Sequence, residues 1–321
     1  MRAIAAGPVT PPGGPPGPRR AAPEGNCSLA SRPWTLCAGG GQAVRSPFVG
    51  SFDCLSFLTD YGLDDGFVAA CHGVAARIAP GIRIIDITHL VPPGDVRRGA
   101  AVFAQTIPYL PTGVHVAVVD PGVGTTRRGI AVQAADGSVL VGPDNGVLSW
   151  AIDRVGGATS VYQLTNGELW LHPLSQTFHG RDIFIPVAAH LAAGTDLAAV
   201  GSPLDFGDLV TLPAPTSRVH NGEAEGEVMS VDRFGNVQLS IAASDADRLG
   251  IGFGSSLVVR CGRRQLTVPY LETFAAVAPG EIVAFTDSAG LISIAVNAGD
   301  AAQQLGLPPG AHVRLSATPM S

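Results

Sequence analysis

From Phe52 onward, short apolar runs alternate with amphipathic stretches, and polar turns separate them. Residues 54–58 form a strand-length apolar run ending at Thr59-Asp60-Tyr61-Gly62. Residues 66–78 have helical spacing, with Phe67, Ala70, Cys71 and Val74 on one face. Residues 82–87 read as a second buried strand, closed by Thr88-His89. A helix is predicted over 96–107 and a third strand over 114–119, which runs into Asp120-Pro121-Gly122-Val123-Gly124. Strands follow at 130–134, 139–141 and 161–164, and a helix at about 182–193. Apolar strands alternating with helices specify an α/β fold, a mostly parallel sheet flanked by helices. Ligands on such sheets bind beyond the carboxyl ends of the strands, where these polar clusters fall.

Residues 211–216, Thr-Leu-Pro-Ala-Pro-Thr, read as a linker. Beyond it, strands are predicted at 226–231, 236–240, 256–260, 265–268, 282–285, 291–296 and 312–315, with short helices at 244–249 and 299–305. This is the pattern of a smaller all-β barrel or sandwich. The expected organisation is therefore an α/β domain over 51–210, the linker, and a β-barrel-like domain over 217–321. Residues 1–50 differ in texture. They hold nine of the 26 prolines, and five arginines against one glutamate. The run Pro11-Pro12-Gly13-Gly14-Pro15-Pro16-Gly17-Pro18 excludes a helix or a central strand. No apolar core of a secretory signal follows, and the segment is expected to be a disordered tail.

Composition narrows the function. Hydrophobic residues make up 46% of the 321, enough for packed cores. No apolar run approaches the roughly 18 residues of a membrane helix, so a membrane partner is not expected. All 20 basic residues are arginine, which excludes a Schiff-base lysine and a P-loop lysine. The net charge of -6 without basic clusters argues against nucleic acid. The five cysteines lack a C-x-x-C pair, which argues against a disulfide framework and fits a reduced, cytoplasmic setting.

Several clusters carry candidate chemistry. A carboxylate at a strand end, such as Asp60, can accept both hydroxyls of a ribose. Asp64 and Asp65 suit the cap of the helix that follows. Asp120 and Arg127, seven residues apart on a Gly-rich loop, can pair around a water or form a structural ion pair. His179, in Thr177-Phe178-His179-Gly180-Arg181-Asp182, can shuttle a proton near neutral pH or serve structurally. Asp182 suits a helix cap, and Gly142-Pro143-Asp144-Asn145-Gly146 a turn. Asp60, His89, Asp120 and His179 are also metal-ligand types, but no paired-His spacing accompanies them. In the second domain, Asp232-Arg233-Phe234-Gly235-Asn236, Thr286-Asp287-Ser288 and Val296-Asn297-Ala298 can together bind a zwitterion and a flat heterocycle.

T-D-Y-G, I-I-D-I-T-H, V-A-V-V-D-P-G-V-G-T-T-R-R, V-G-P-D-N-G, T-F-H-G-R-D-I-F, D-R-F-G-N and S-I-A-V-N-A-G occur in that order. This set resembles the S-adenosyl-L-methionine hydroxide adenosyltransferases, adenosine-forming hydrolases related to fluorinase and chlorinase. The resemblance runs from about Phe52 to Leu315. It implies hydrolysis of S-adenosyl-L-methionine to adenosine and L-methionine, without a metal or a further cofactor. It also implies a homotrimer with active sites between subunits. The water-positioning triad falls on Asp120, Arg127 and His179. Asp60 is expected on the ribose, Asp232 and Ser288 on the amino acid end, and Asn236 and Phe234 on the adenine side. Val296, Asn297 and Ala298 are expected along the adenine edge, and Phe178 is a further substrate-site candidate. Halogenases of this superfamily have tyrosine where this chain has Asp120 and lack a histidine at 179. Fluorinase has a halide-contacting threonine where this chain has Val123, and an extra loop absent here. Two features depart from the hydrolase pattern: Tyr61 stands for a more frequent Phe, and Asp287 adds charge near the expected carboxylate site. The alternatives are a halogenase of the same fold, a binding module without turnover, and a metallohydrolase.

Overall fold

The computed structural model describes residues 51–318; the tail expected over 1–50 lies outside the described residues. The first part is a seven-stranded sheet. Its strands are β1 (Cys54–Thr59), β2 (Arg83–Thr88), β3 (Val114–Val118), β4 (Gly129–Ala134), β5 (Val139–Pro143), β6 (Ala158–Leu164) and β7 (Gly201–Pro203), in the order β2-β1-β3-β5-β4-β6-β7. The half containing β2, β1, β3 and β5 is parallel. β4, β6 and β7 continue it antiparallel.

Helices α1 (Phe67–Ile78) and α4 (Ile185–Ala192) cover one face. Their core includes Leu55, Phe57, Val116, Val141, Cys71 and Phe184. Helices α2 (Val96–Thr106) and α3 (Ser149–Arg154) cover the other, over Leu58, Phe103, Ala117, Val132 and Leu140. Consecutive side chains of one strand alternate between these two cores, as a pleated strand requires. The buried face of α1 is Val68, Cys71, Val74 and Ala75; it keeps Cys71 and Val74 of the expected set and replaces Phe67 and Ala70. Phe67 is 45% exposed and packs on Tyr61 and Phe178 rather than in the core. β2 is half-exposed rather than buried, since it is the edge strand. The short α3 escaped the periodicity test, which needs a longer window.

The second part is an eight-stranded antiparallel sheet: β8 (Ser217–His220), β9 (Glu223–Val231), β10 (Val237–Ala242), β11 (Ser256–Cys261), β12 (Arg264–Pro269), β13 (Ile282–Thr286), β14 (Leu291–Val296) and β15 (His312–Ala317). Its order is β12-β11-β15-β9-β10-β14-β13, with β8 on β9. A bridge from Tyr270 to Ala284 joins the two ends, so the sheet is a nearly closed barrel. Helices α5 (Ala243–Arg248) and α6 (Ala301–Leu305) lie on its rim. β8, too short and polar to announce itself, lies beside β9. Helix α2 docks on β9 and β10 through Arg97–Glu227 (2.7 Å) and Gln105–Gln238 (2.8 Å). Trp150 and Met229 pack beside this contact with Ala100 and Ala101. Among the described residues, no helix is long and apolar enough to cross a membrane.

Candidate active site

β1 and β3 are parallel neighbours, and Thr59 registers with Val118. Their exits therefore place Asp60-Tyr61 beside Asp120. A third segment, Thr177 to Gly180, closes over them. Asp60, Tyr61, Val118, Asp120, Val123, Thr177, His179 and Gly180 line a pocket of about 50 Å³. A cavity needs on the order of 10–15 Å³ of such space to hold a water, so this pocket admits water. A broader open groove of about 490 Å³ runs along α1 and Leu171-His172-Pro173. It lies off the strand ends and has no carboxylate in its lining, so the smaller pocket is the candidate site.

Three side chains meet at that pocket. Arg127 grips Asp120 with two donors: Nε donates to Oδ1 at 3.1 Å, and a terminal nitrogen to Oδ2. The same terminal nitrogen lies 3.3 Å from His179 Nδ1. The Phe184 ring lies under the guanidinium, 5.2 Å from its carbon. Both charged side chains are nearly buried, at 10% exposure for Arg127 and 5% for Asp120, so the pair is strong and geometrically fixed. A guanidinium only donates, so Nδ1 of His179 must accept. The neutral ring then carries its proton on Nε2, which is buried without a protein partner. Desolvation, followed by the Arg127 charge, holds the His179 pKa below its ordinary value. The ring is neutral near pH 7 and offers an N–H.

Local sequence fixes this arrangement. Pro186 has no N–H, so the Asp182 carbonyl has no helical partner and accepts instead from Leu171 N–H at 2.8 Å. Gly180–Phe184 winds as a π-helix, with Ile185 N–H reaching Gly180. Asp182 is not a helix cap. It accepts from Ser175 N–H (2.8 Å) and from the Arg181 side chain (2.6 and 3.0 Å), which shapes the segment bearing His179. A Cβ at Gly180 would collide with the Tyr61 hydroxyl, and one at Gly124 with the Gln176 carbonyl oxygen. These glycines let the three segments close. Asn145 donates to the Val119 carbonyl (2.8 Å), just before Asp120. Arg128 turns away to Asp144 (2.8 Å from Nε), so adjacent arginines separate into one at the pocket and one in the frame. Asp144 thus keeps the turn role expected of it.

The other sequence candidates sort as follows. Asp60 Oδ2 accepts from Gly94 N–H at 2.8 Å, which leaves Oδ1 available. Asp64 and Asp65 are exposed and make no cap; Gly66 occupies that position without a side-chain bond. Phe178 packs edge-on against Tyr61 (5.6 Å) and Phe67 (5.2 Å). The Tyr61 phenol is pushed well above its ordinary pKa by burial, so it remains a donor. In the barrel, Asp232 accepts from Phe234 N–H, Asn236 N–H and Asn236 Nδ2 (2.8, 2.9 and 2.8 Å), a closed turn that leaves Phe234 71% exposed. The adjacent segment after β14 carries Ala298 in the left-handed region, at φ 56°. Asn297 Nδ2 is committed to the Val277 carbonyl (2.7 Å), so its side chain is structural. Val296 is buried and Ser288 is exposed on the β13–β14 turn. Asp287 is half-buried and bound within the barrel. It accepts from Gln238 (2.7 Å), Ser293 (2.8 Å) and two turn amides.

A family model of the SAM hydroxide adenosyltransferase N-terminal domain matches residues 55–201, and one of the C-terminal domain matches 226–314. The chain belongs to the SAM hydroxide adenosyltransferases. Within that family it is 54% identical to an (R)-S-adenosyl-L-methionine hydrolase of Salinispora tropica, across 82% of this chain and 97% of that one. A fluorinase of Actinoplanes sp. is 29% identical over 82% and 97% of the two chains. An uncharacterized conserved protein from Thermotoga maritima has a solved structure with TM-score 0.78 and 38% identity, covering 82% of this chain and 99% of that one. For this SAM hydroxide adenosyltransferase, sequence reasoning passed over Val118, Thr177 and Gly180 as pocket walls, while Val123 was marked only by its contrast with fluorinase. Their places inside the motifs were the signal.

Proposed function

We propose that this chain hydrolyses S-adenosyl-L-methionine to adenosine and L-methionine. The carrying observation is the contact of Arg127 with both Asp120 and His179, two side chains that line a pocket with room for water. The naming of its relatives as (R)-S-adenosyl-L-methionine hydrolases supports the same reading.

In the step proposed, water attacks the 5′ carbon of the ribose in line, and the carbon–sulfur bond breaks. The sulfonium leaves as the neutral thioether of methionine, and one proton is released. Arg127 polarises the water toward hydroxide. His179, with Nδ1 occupied by Arg127, donates through Nε2 and orients the water oxygen. The proton then passes to Asp120, the carboxylate on the pocket wall. Hydroxide and sulfonium lose their charges together, so exclusion of water raises the reactants more than the transition state. Arg127 also lowers the reactivity of what it stabilises, so a modest rate is expected. S-adenosyl-L-methionine is substrate here, and the step as written calls on no metal.

The pocket walls all come from the first sheet, whereas the adenine and methionine candidates Asp232, Phe234, Asn236, Ser288 and Ala298 lie on the barrel. Phe234, Phe253, Phe274 and Phe67 are exposed aromatics that suit a subunit contact. We therefore place each complete site between subunits of a homotrimer, which light scattering tests directly. The free thiols Cys54, Cys71 and Cys261 suit a reducing, cytoplasmic setting.

The deciding experiment offers both sulfonium epimers in oxygen-18 water, with and without chloride, and analyses the nucleoside by mass. Label on the 5′ oxygen of adenosine is expected. A 5′-chlorinated nucleoside would move the chain to the halogenases. Binding of adenosine without turnover would leave a binding module.

A further inference from the structure

Outside the pocket, His72, Asp86 and His89 bring three ligand atoms within 4.8 Å of one another. His72 Nε2 lies 2.9 Å and His89 Nε2 3.0 Å from the same oxygen of Asp86. None of the three lines the catalytic pocket. His72 comes from the outer side of α1, Asp86 from the edge strand β2, and His89 from the turn beyond it. We propose that these residues form a site for a divalent transition metal, with zinc as the type ion.

His89 is only 4% exposed. Its Nδ1 lies 2.8 Å from the Thr59 hydroxyl, while its Nε2 has no hydrogen-bond partner although the Asp86 oxygen is close. The ring nitrogen is near the carboxylate but out of line for a hydrogen bond. When His89 Nδ1 donates to the Thr59 hydroxyl, Nε2 presents its lone pair, the tautomer that binds metal. In that tautomer the buried lone pair faces a carboxylate oxygen, and a cation between them relieves the repulsion. Zinc binds imidazole nitrogen at about 2.0–2.1 Å and carboxylate oxygen at about 2.0–2.2 Å. Tetrahedral ligand atoms then stand about 3.3 Å apart, so the two nitrogen–oxygen spacings open by a few tenths of an ångström, and the two ring nitrogens, within 4.8 Å of each other, come to the same separation. His72 and Asp86 are partly exposed, at 35% and 41% of their side chains, which leaves an entry path and room for a water as fourth ligand.

The sequence reading grouped His89 with Asp60, Asp120 and His179 as metal-ligand types. The fold instead pairs it with Asp86 three residues earlier and with His72 across from the helix. The ion's role is structural. The His89 carbonyl accepts Gly62 N–H at 2.8 Å, and Thr59 precedes Asp60, so the metal would brace the turn that carries Asp60 and Tyr61. Metal loading should therefore change stability more than the rate of the saturated enzyme.

The test titrates the metal-stripped full chain with Zn²⁺ and with Co²⁺. Expected are one tight equivalent of Zn²⁺, an intense four-coordinate Co²⁺ absorption in the visible, and a Tm raised by a few degrees at about a hundredfold excess over Kd. His72→Ala and Asp86→Asn, both at partly exposed positions, should each remove the cobalt band and the Tm response. They should leave adenosine formation in metal-free buffer unchanged. No saturable binding to the folded wild type would overturn the proposal and leave a hydrogen-bonded bracket. Equal binding by His72→Ala and Asp86→Asn would overturn it as well, by assigning the metal to other groups.

Discussion

Gly122 and Gly124 lie two residues apart on the loop between Asp120 and Arg127, yet the structure predicts opposite tolerance. A Cβ added at 122 would meet Arg127 Cβ and Thr125 Oγ1 at 3.6 Å, ordinary contact. At 124 the backbone is left-handed, φ 76°, and the new carbon would fall inside the van der Waals envelope of the Gln176 carbonyl oxygen. The left-handed conformation costs a non-glycine residue about 1–2 kcal/mol. Relieving the clash adds about 1–3 kcal/mol, for a total of about 2–5 kcal/mol. That relief requires the 122–127 loop and the 175–180 segment to part by about 1 Å, since carbon contacts settle near 3.5 Å. The Arg127–His179 contact, now 3.3 Å, spans this seam and is lost. Displacement of a reacting group by about 1 Å costs on the order of a hundredfold in rate.

Gly124→Ala is therefore expected to lower kcat for adenosine formation about a hundredfold and to lower Tm. Gly122→Ala should stay within about twofold of wild type. Gly157→Ala is the control: it has φ 95° and open space around the added carbon, so it should lower Tm by strain alone and leave kcat intact. The assay is adenosine release at saturating substrate at 25 °C, with calorimetry on the same samples. Wild-type kcat in Gly124→Ala, or equal losses in all three variants, would refute the coupling of the two loops through this contact.

Asp60→Asn keeps an acceptor for Gly94 N–H but removes the charge offered to the ribose. Charged hydrogen bonds contribute about 1.5–3 kcal/mol, so adenosine affinity should fall about tenfold or more by calorimetric titration, and unchanged affinity would remove Asp60 from the site. His179 must be neutral to accept from Arg127, and its pKa is depressed; kcat/KM should be flat above pH 6.5 and fall only below it, whereas an acid limb above 6.5 would contradict the assignment. His115 is 1% exposed, and burial lowers its pKa from 6.5 to about 4. The unfolded chain then binds a proton that the folded one refuses, so stability is full above pH 6.5 and declines by about 3 kcal/mol toward pH 4. Denaturant midpoints of the wild type should show that decline and those of His115→Gln should lack it. Burial also raises Cys71 to about 12, so its thiol should resist alkylation at pH 8 in the folded protein; rapid labelling there would contradict its burial.

Much of the fold was legible because burial and period agreed. β1, β3 and α2 read correctly, since each fills its core from one pattern. Where that pattern failed, geometry outside the local segment decided. β2 has the composition of an interior strand but ended at the sheet edge, which no local window records. Phe67 has helical spacing with Cys71 and Val74, yet it packs on Phe178. Among the polar residues, Asp120, Arg127 and His179 were found because their motifs sit at strand and helix ends. Asp182 and Asp287 were misjudged because their partners are amides and side chains brought in by turns. His72 and Asp86 carried no sequence signal, since their convergence depends on how α1 crosses β2.

The two parts of the proposed site differ in how much they are held before substrate arrives. Asp120 and Arg127 restrain each other, and His179 is set by the segment shaped by Asp182. Tyr61 and Gly180 meet in a space that tolerates no extra atom. The water pocket is thus largely built by one chain, and its electrostatics need little reorganisation at the moment of reaction. On the barrel, Asp232 satisfies its own turn, Ser288 is exposed, and Phe234 stands in solvent without a neighbouring ring. These groups gain a role only when a nucleoside or another surface covers them. In the proposed homotrimer, substrate binding and subunit association would perform the same physical act on the rigid half: they would remove water around Arg127 and the sulfonium. A monomeric variant that stays folded should therefore keep its triad geometry and lose turnover through solvent access. Exposure of the site to water, more than displacement of any catalytic atom, would be what abolishes hydrolysis in it.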